Sequence, residues 1–303
     1  MKAHPRKQRG MTLAELLVAL AVGLGVLLAG AALMISANKA YVAHEDAAGI
    51  DDGGRYALAL IGRAVRQGAF VDWERHGAPD KNAPAPLAGL DSRSLVKTSF
   101  GIDDPVTSAV NGSDVLALRY PGAGKAPDGD GSVVDCAGFP VHEAKEGWSI
   151  FYVARNGDGV AELRCKYKGA ANWGADAVVA GVDGFQVLYG VDTDTPPDGI
   201  PNRYVNASAL SALDAGLMPG ERNEKTAWKR VASVRVALLL HGEKASSAPV
   251  QPVGYALFGP AYGAAQGGAD KGVQLARSEL DGARPAPARR LFTAVFAVGA
   301  SQP

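Results

Sequence analysis

The chain has 303 residues, its 31 Lys and Arg residues equal its 31 Asp and Glu residues in number, and 47% of its residues are hydrophobic. This length can bury a sizeable core, and the composition excludes a disordered polyelectrolyte. Four basic residues precede position 11, which leaves 27 basic against 31 acidic side chains in the rest of the chain. Because a mild negative excess opposes phosphate backbones, we expect no direct nucleic-acid binding.

The first element is a basic leader that ends at Arg9-Gly10, followed by 25 residues, 11–35, that carry one charge, Glu15. A helix of this length spans about 37 Å, which exceeds the roughly 30 Å hydrocarbon core of a bilayer. The apolar run is too long for an ordinary secretory signal. Basic residues lie before this helix and acidic residues follow it, so the leader is expected to stay cytoplasmic and the remaining chain to face the periplasm or exterior.

Glu15 is costly in such a helix, by about 2.5 to 3.5 kcal/mol at mid-bilayer. On the residues alone, it either lies in the headgroup zone, where the helix dipole favours an anion, or has a partner. Gly10 followed by MTLAELLVAL resembles the class III signal of type IV prepilins, and the organisation of the chain resembles that of PilW-type minor pilins. The resemblance implies cleavage between Gly10 and Met11 by a prepilin peptidase and N-methylation of Met11. It also implies that Glu15 meets the free amine of a neighbouring subunit.

The next element is an amphipathic continuation of the helix to about Gly68. Its apolar face is formed at three- and four-residue steps by Ile50, Gly54, Ala57, Leu58, Ile61 and Val65. Gly53-Gly54 is a candidate kink, because glycine costs up to about 1 kcal/mol relative to alanine inside a helix.

Beyond residue 71 short apolar runs alternate with turn residues, which predicts a mainly antiparallel sheet. Predicted strands cover 114–120, 148–154, 160–167, 185–189, 231–240 and 291–298, with a hairpin turn at 156–159. The Pro- or Gly-rich stretches 78–88, 122–131, 261–272 and 281–288 are expected to be surface loops. Segments 183–194 and 228–240 also resemble PilW-type proteins, and Arg235 in the second is expected to be paired or to extend its head group to solvent.

The expected fold is therefore α+β and type IV pilin-like, with a long N-terminal helix packed on a mainly antiparallel β-sheet domain. We expect a leader peptide over 1–10, the helix over 11–70 with its membrane span at about 11–35, and a β-rich globular domain over 71–303.

The two cysteines, Cys136 and Cys165, are 29 positions apart. An oxidising compartment favours a disulfide between them over two buried thiols, and it would stabilise the fold by roughly 3 to 4 kcal/mol. Neither cysteine has a recognisable nucleophile context.

Asp192, Asp194 and Asp198 form an acidic turn whose oxygen density is typical of calcium sites, but Pro196 interrupts the EF-hand spacing. The alternative is a solvated acidic turn, so we expect no cofactor and keep calcium as a weak candidate. The chain shows no zinc ligand spacing, nucleophile elbow or phosphate loop, and we expect no enzymatic activity.

The best hypothesis is a minor pilin that helps to prime assembly of a type IV pilus and enters its tip, with roles in twitching motility and adhesion. Expected partners are the prepilin peptidase, other minor pilins, the major pilin, a tip adhesin and the inner membrane. The expected location is the inner membrane, with a periplasmic C-terminal domain, and then the pilus tip. One alternative is a J-type minor pseudopilin of type II secretion. A less favoured alternative is a membrane-tethered periplasmic binding or enzymatic domain.

Overall fold

A computed structural model describes residues 10–68, 80–245, 252–281 and 287–298. The chain divides into two compact units, Met1–Asp46 and Ala47–Pro303. One helix, α1 (Leu13–Gly68), supplies all regular structure in the described part of the first unit and continues into the second. The helix extends to Gly68, the last residue described before residue 80, and it runs without interruption through Gly53-Gly54, the candidate kink.

In its described residues, the second unit adds eleven strands and four short α-helices. The strands are β1 (Leu87–Leu90), β2 (Val115–Pro121), β3 (Glu146–Arg155), β4 (Ala161–Lys168), β5 (Trp173–Ala180), β6 (Val182–Val191), β7 (Arg203–Val205), β8 (Val231–Ala245), β9 (Gly254–Ala256), β10 (Gln274–Ala276) and β11 (Pro287–Ala297). The helices are α2 (Ala207–Ala212), α3 (Arg222–Lys225), α4 (Pro260–Gln266) and α5 (Arg277–Asp281).

These strands form two main antiparallel sheets where the sequence pattern predicted one. The first sheet has the order β1-β2-β3-β4-β5, and the second has the order β11-β8-β6-β7. The predicted hairpin at 156–159 is confirmed, since it joins β3 to β4. The stretch 261–272 was wrongly predicted to be only a loop, because α4 occupies its first half and begins with Pro260, a residue suited to the first turn of a helix.

The main core of the second unit lies between one face of each sheet and the buried face of α1. Leu116 and Phe151 contribute from the first sheet, Val187 and Val236 from the second, and Ile61 from the helix, and all are at most 1% exposed. The predicted apolar face of the helix is confirmed for Ile50, Gly54, Ala57, Ile61 and Val65, which are buried, while Leu58 is half-buried.

Close approach of α1 to the last strand depends on two glycines. A Cβ atom at Gly54 would lie 2.4 Å from the ring of Phe292, and one at Gly62 would lie 2.5 Å from the ring of Phe296. Both rings belong to β11, so the last strand of the chain packs directly on the second half of its first helix.

Each sheet is covered on its outer face by a separate segment. The segment that follows β1 places Leu95 and Ile102 over the first sheet, beside Trp148 and Trp173. The segment of β9, α4 and β10 places Leu257 and Phe258 over the second sheet. Asp114 links the two sheets, because its side chain accepts hydrogen bonds from the backbone N–H groups of Ser92 (3.0 Å) and Val187 (2.9 Å).

Candidate functional site

The candidate processing bond, between Gly10 and Met11, lies just before the first turn of α1. Gly10 and Met11 are outside the helix and both are exposed. Residues 1–9 of the expected leader lie outside the described residues. An exposed, non-helical bond is the form of backbone that a peptidase can bind in extended conformation.

Glu15 and Thr12 cap the start of α1 together. One carboxylate oxygen of Glu15 accepts hydrogen bonds from the backbone N–H of Thr12 (2.8 Å) and from its hydroxyl (3.0 Å), and the Thr12 hydroxyl accepts one from the Glu15 N–H (3.3 Å). This is the capping-box arrangement, in which two otherwise unpaired N–H groups are satisfied reciprocally. Within the single chain, Glu15 thus has a local partner.

Sequence reasoning missed the contribution of Thr12, although the signal was present. A Thr followed three positions later by Glu, just ahead of an apolar run, is the sequence signature of a capping box. Thr12 therefore joins Glu15 as a residue that positions the start of α1.

The first half of α1 presents an apolar surface. Leu13, Val18, Leu20, Leu27 and Met34 are each more than 60% exposed. The helix is long and apolar enough to cross a membrane by length and composition. A shallow groove along it is lined at four-residue steps by small and apolar side chains next to one carboxylate: Ala14, Glu15, Val18, Ala19, Val22 and Gly23. Such a groove permits close approach of a second helix.

Cys136 and Cys165 form a disulfide, with a Cα–Cα separation of 5.9 Å. Cys165 lies in β4, and Cys136 lies in the connection between β2 and β3. The same connection contacts the end of α1, because the side chain of Gln67 donates to the Val134 carbonyl (2.7 Å) and Arg63 donates to the Asp135 carbonyl (3.4 Å). The disulfide therefore ties the connection between β2 and β3, which contacts the end of α1, to the first sheet.

The acidic turn does bring its three carboxylates together. One oxygen from each of Asp192, Asp194 and Asp198 lies within 4.8 Å of the others, and among the described residues this is the one such group of three or more. The two oxygens of Asp192 already accept the backbone N–H groups of Asp194 (2.9 Å) and Gly199 (2.7 Å). The hydrogen bond from the Asp194 N–H is the main reason why the pKa of Asp192 is lowered.

Further hydrogen bonds engage the other two carboxylates of the turn. Asp198 accepts the N–H of Ile200 (2.8 Å), and Asp194 accepts the side-chain amide of Asn202 (3.0 Å). Four of the six carboxylate oxygens are thus occupied by the turn itself. The three carboxylates lie close enough to approach one hard cation, but most of their oxygens already accept hydrogen bonds from within the turn.

Arg235 was expected to be paired or to reach solvent, and the structure gives it an aromatic neighbour. Its Cζ atom lies 5.4 Å from the centroid of the Phe258 ring. Phe258 comes from the covering segment of the second sheet, a contact that no local pattern indicates.

Two parts of the chain match protein families. Residues 5–32 match the family described as Prokaryotic N-terminal methylation motif, and residues 150–298 match the family described as Type IV Pilus-assembly protein W. A solved structure of a type IV-like pilin from Thermus thermophilus is similar over 82% of this chain and 95% of that chain, with 15% identity and a TM-score of 0.37. None of the curated proteins matches the chain. The two family matches include the candidate processing bond and Glu15 at one end and strands β4 to β11 at the other.

Proposed function

Because the chain belongs to the PilW family of type IV pilus-assembly proteins, we propose that it is a minor pilin that helps to prime pilus assembly and is incorporated at the pilus tip. The observation that carries this proposal is the methylation motif joined to a helix whose apolar first half is exposed and whose start is capped by Thr12 and Glu15. A plain membrane anchor needs neither the glycine cleavage site nor the glutamate.

The proposed pathway begins in the inner membrane, with the leader in the cytoplasm and the β-rich unit in the periplasm. Prepilin peptidase removes residues 1–10 and methylates Met11. The mature helix is then extracted into a bundle with the helices of other minor pilins and the major pilin, beneath a tip adhesin. Twitching motility and adhesion follow indirectly from the assembled pilus. The role is structural, and the family match supports this over catalysis.

In this proposal Glu15 exchanges one partner for another. In the single chain its carboxylate binds Thr12, and in the bundle it pairs with the methylated amine of a neighbouring subunit. Such a pair neutralises a charge that is buried among helices and fixes their axial register. The capping box keeps the carboxylate at the helix start until that partner arrives.

The first experiment is intact-mass analysis of the protein from cells with and without the prepilin peptidase. We expect peptidase-dependent loss of residues 1–10 and a methylated Met11. An uncut chain, or a cut beyond residue 35, would contradict the pilin assignment and favour a tethered periplasmic domain.

Three variants then separate the roles of Glu15. Glu15→Gln keeps a capping side chain but removes the charge, whereas Thr12→Val removes the reciprocal cap but keeps the charge. We expect Glu15→Gln and Glu15→Leu to insert and be cleaved but to be lost from pilus fractions, and Thr12→Val to be recovered there. Normal recovery of Glu15→Gln would show that the charge has no role in assembly.

A J-type minor pseudopilin of type II secretion shares this leader and architecture. Deletion of the gene separates the two functions, since loss of pili with intact secretion of exoproteins supports the pilus role. The match to the PilW family over 150–298 favours that role.

A further inference from the structure

The outer face of the second sheet carries a small cavity beside the edge strand β11. It has a volume of about 260 Å³ and is lined by Tyr204, Arg235, Thr293, Ala294 and Val295. The segment of β9, α4 and β10 covers the neighbouring part of this face through Leu257 and Phe258, so the cavity marks where that cover ends.

The cavity is built by strand register and by one glycine. Arg235 of β8 lies directly opposite Val295 of β11, and Gly190 of β6 lies between Tyr204 and Ser233. The Tyr204 hydroxyl is 2.9 Å from the Ser233 hydroxyl. A Cβ atom at Gly190 would lie 2.3 Å from that serine oxygen and 3.0 Å from the tyrosine ring. The missing side chain therefore lets Tyr204 reach across β6 to the strand that carries Arg235.

Arg235 is held in place by an aromatic ring rather than by an acid. Phe258, whose ring lies 5.4 Å from the guanidinium carbon, is only 5% exposed and is itself packed against Tyr262. Among the described residues, Arg235 forms no ion pair and no hydrogen bond through its side chain. A guanidinium stacked on a ring keeps its N–H donors free at its edge.

The described side chains that line the cavity offer donors and no negative charge. The guanidinium donates only, the hydroxyls of Tyr204 and Thr293 can donate, and Val295 adds an exposed apolar surface. The cavity has one cation beside an apolar side chain, which suits a singly charged carboxylate on a short carbon chain. A phosphate carries more charge and binds best where several cations converge. We propose that this cavity binds the carboxylate of an Asp or Glu side chain from another pilus subunit, through a bidentate pair with Arg235. The identity of the partner as a pilus subunit rests on the proposed function.

The first test measures the chemistry of the cavity in the isolated full-length chain in detergent micelles. The Nε–H signal of Arg235 is observed by NMR, assigned by its loss in Arg235→Gln, and titrated with acetate, inorganic phosphate and chloride at equal ionic strength. We expect a saturable shift with acetate that exceeds the effect of chloride. Equal effects of acetate and chloride would overturn the proposal. Tighter binding of phosphate than of acetate would also overturn it, because the preferred ligand would then be a phosphate group and not a carboxylate.

Two matched substitutions at Val295 place a longer side chain in the cavity. Val295→Glu places a carboxylate opposite Arg235, at a cross-strand Cβ separation of about 4.5 to 5.5 Å, whereas Val295→Gln has the same shape without the charge. Since Val295 is 56% exposed, both are expected to fold. Val295→Glu should lose the saturable acetate shift, and Val295→Gln should keep it.

In cells, the same pair tests the source of the carboxylate. We expect Val295→Glu to lose its leader normally but to be depleted from pilus fractions, and Val295→Gln to be recovered like the wild type. Equal recovery of both variants would overturn the docking role while leaving the pilin assignment intact. Failure of leader removal in the wild type would instead contradict the proposed function, so the two failures are distinguishable.

Discussion

Close packing of α1 on the last strand makes a substitution at Gly62 the most direct test of the fold. A Cβ atom there would lie 2.5 Å from the Phe296 ring, about 1 Å inside ordinary contact. Gly62→Ala gains about 1 kcal/mol of helix propensity, but overpacking of a core costs about 1 to 3 kcal/mol. The exposed Gly49 lies in the same helix with nothing within 4 Å of its Cβ position, so Gly49→Ala receives the propensity gain alone.

Because the propensity term is common to both substitutions, their difference isolates the packing cost. We expect Gly62→Ala to be less stable than Gly49→Ala by about 1 to 3 kcal/mol. At roughly 2 to 4 °C for each kcal/mol, this difference is visible as a shift in Tm. The assay is denaturant or thermal unfolding of the full chain in detergent, followed by tryptophan fluorescence, since Trp148, Trp173 and Trp228 all lie in the second unit.

A double-mutant cycle completes the test. Phe296→Ala removes the ring that Gly62→Ala would strike, so the double variant should be more stable than the sum of the two single effects predicts. If Gly62→Ala stabilises the protein as much as Gly49→Ala does, the described contact between α1 and β11 is wrong.

Three further predictions concern the second unit. Replacement of Cys136 and Cys165 together by serine should lower the free energy of unfolding by about 3 to 4 kcal/mol, measured by denaturant unfolding, and an unchanged midpoint would show that the bridge contributes no stability. Burial lowers the pKa of Lys166 to about 8 from its ordinary value of 10.5. Between these two pH values the unfolded protein holds a proton on Lys166 that the folded protein has lost, so the free energy of unfolding should rise with pH. Lys166→Met should flatten this rise. Because the acidic turn is closed by its own hydrogen bonds, Asp192→Asn should lower Tm, and calcium in place of a chelator should leave the wild-type Tm unchanged. A calcium-dependent rise in Tm that Asp192→Asn abolishes would instead establish a cation site.

Features that depend on local pattern could be predicted from the sequence. The amphipathic second half of α1 follows from the three- and four-residue spacing of its apolar face, and the hairpin between β3 and β4 follows from its Asn-Gly-Asp-Gly turn. The Cys136–Cys165 bridge followed from compartment and count, because a chain with two cysteines allows one intrachain pairing.

Features that depend on distant partners could not be predicted in this way. β5 (Trp173–Ala180) was missed because Gly174 and Asp176 weaken its strand pattern, and pairing with β4 compensates for it. The division into two sheets is fixed by pairing of β8 with β6 and with β11, strands that are far apart along the chain. The position of Arg235 likewise depends on Phe258, which arrives from a covering segment whose Gly- and Ala-rich sequence favoured a loop.

The pairing of the first helix with the last strand also dictates when this protein can fold. Arg290 of β11 forms an ion pair with Asp51 of α1, a partner 239 positions away, and Phe292 and Phe296 lie against glycines of the same helix. Contacts of such long sequence separation form slowly and only after the intervening chain exists. The part of α1 that packs on Phe292 and Phe296 therefore stays uncovered until synthesis of the chain has passed β11. A truncation anywhere before residue 287 should leave Gly54 and Gly62 without the two rings that cover them, so such a chain should be less stable than the full-length protein.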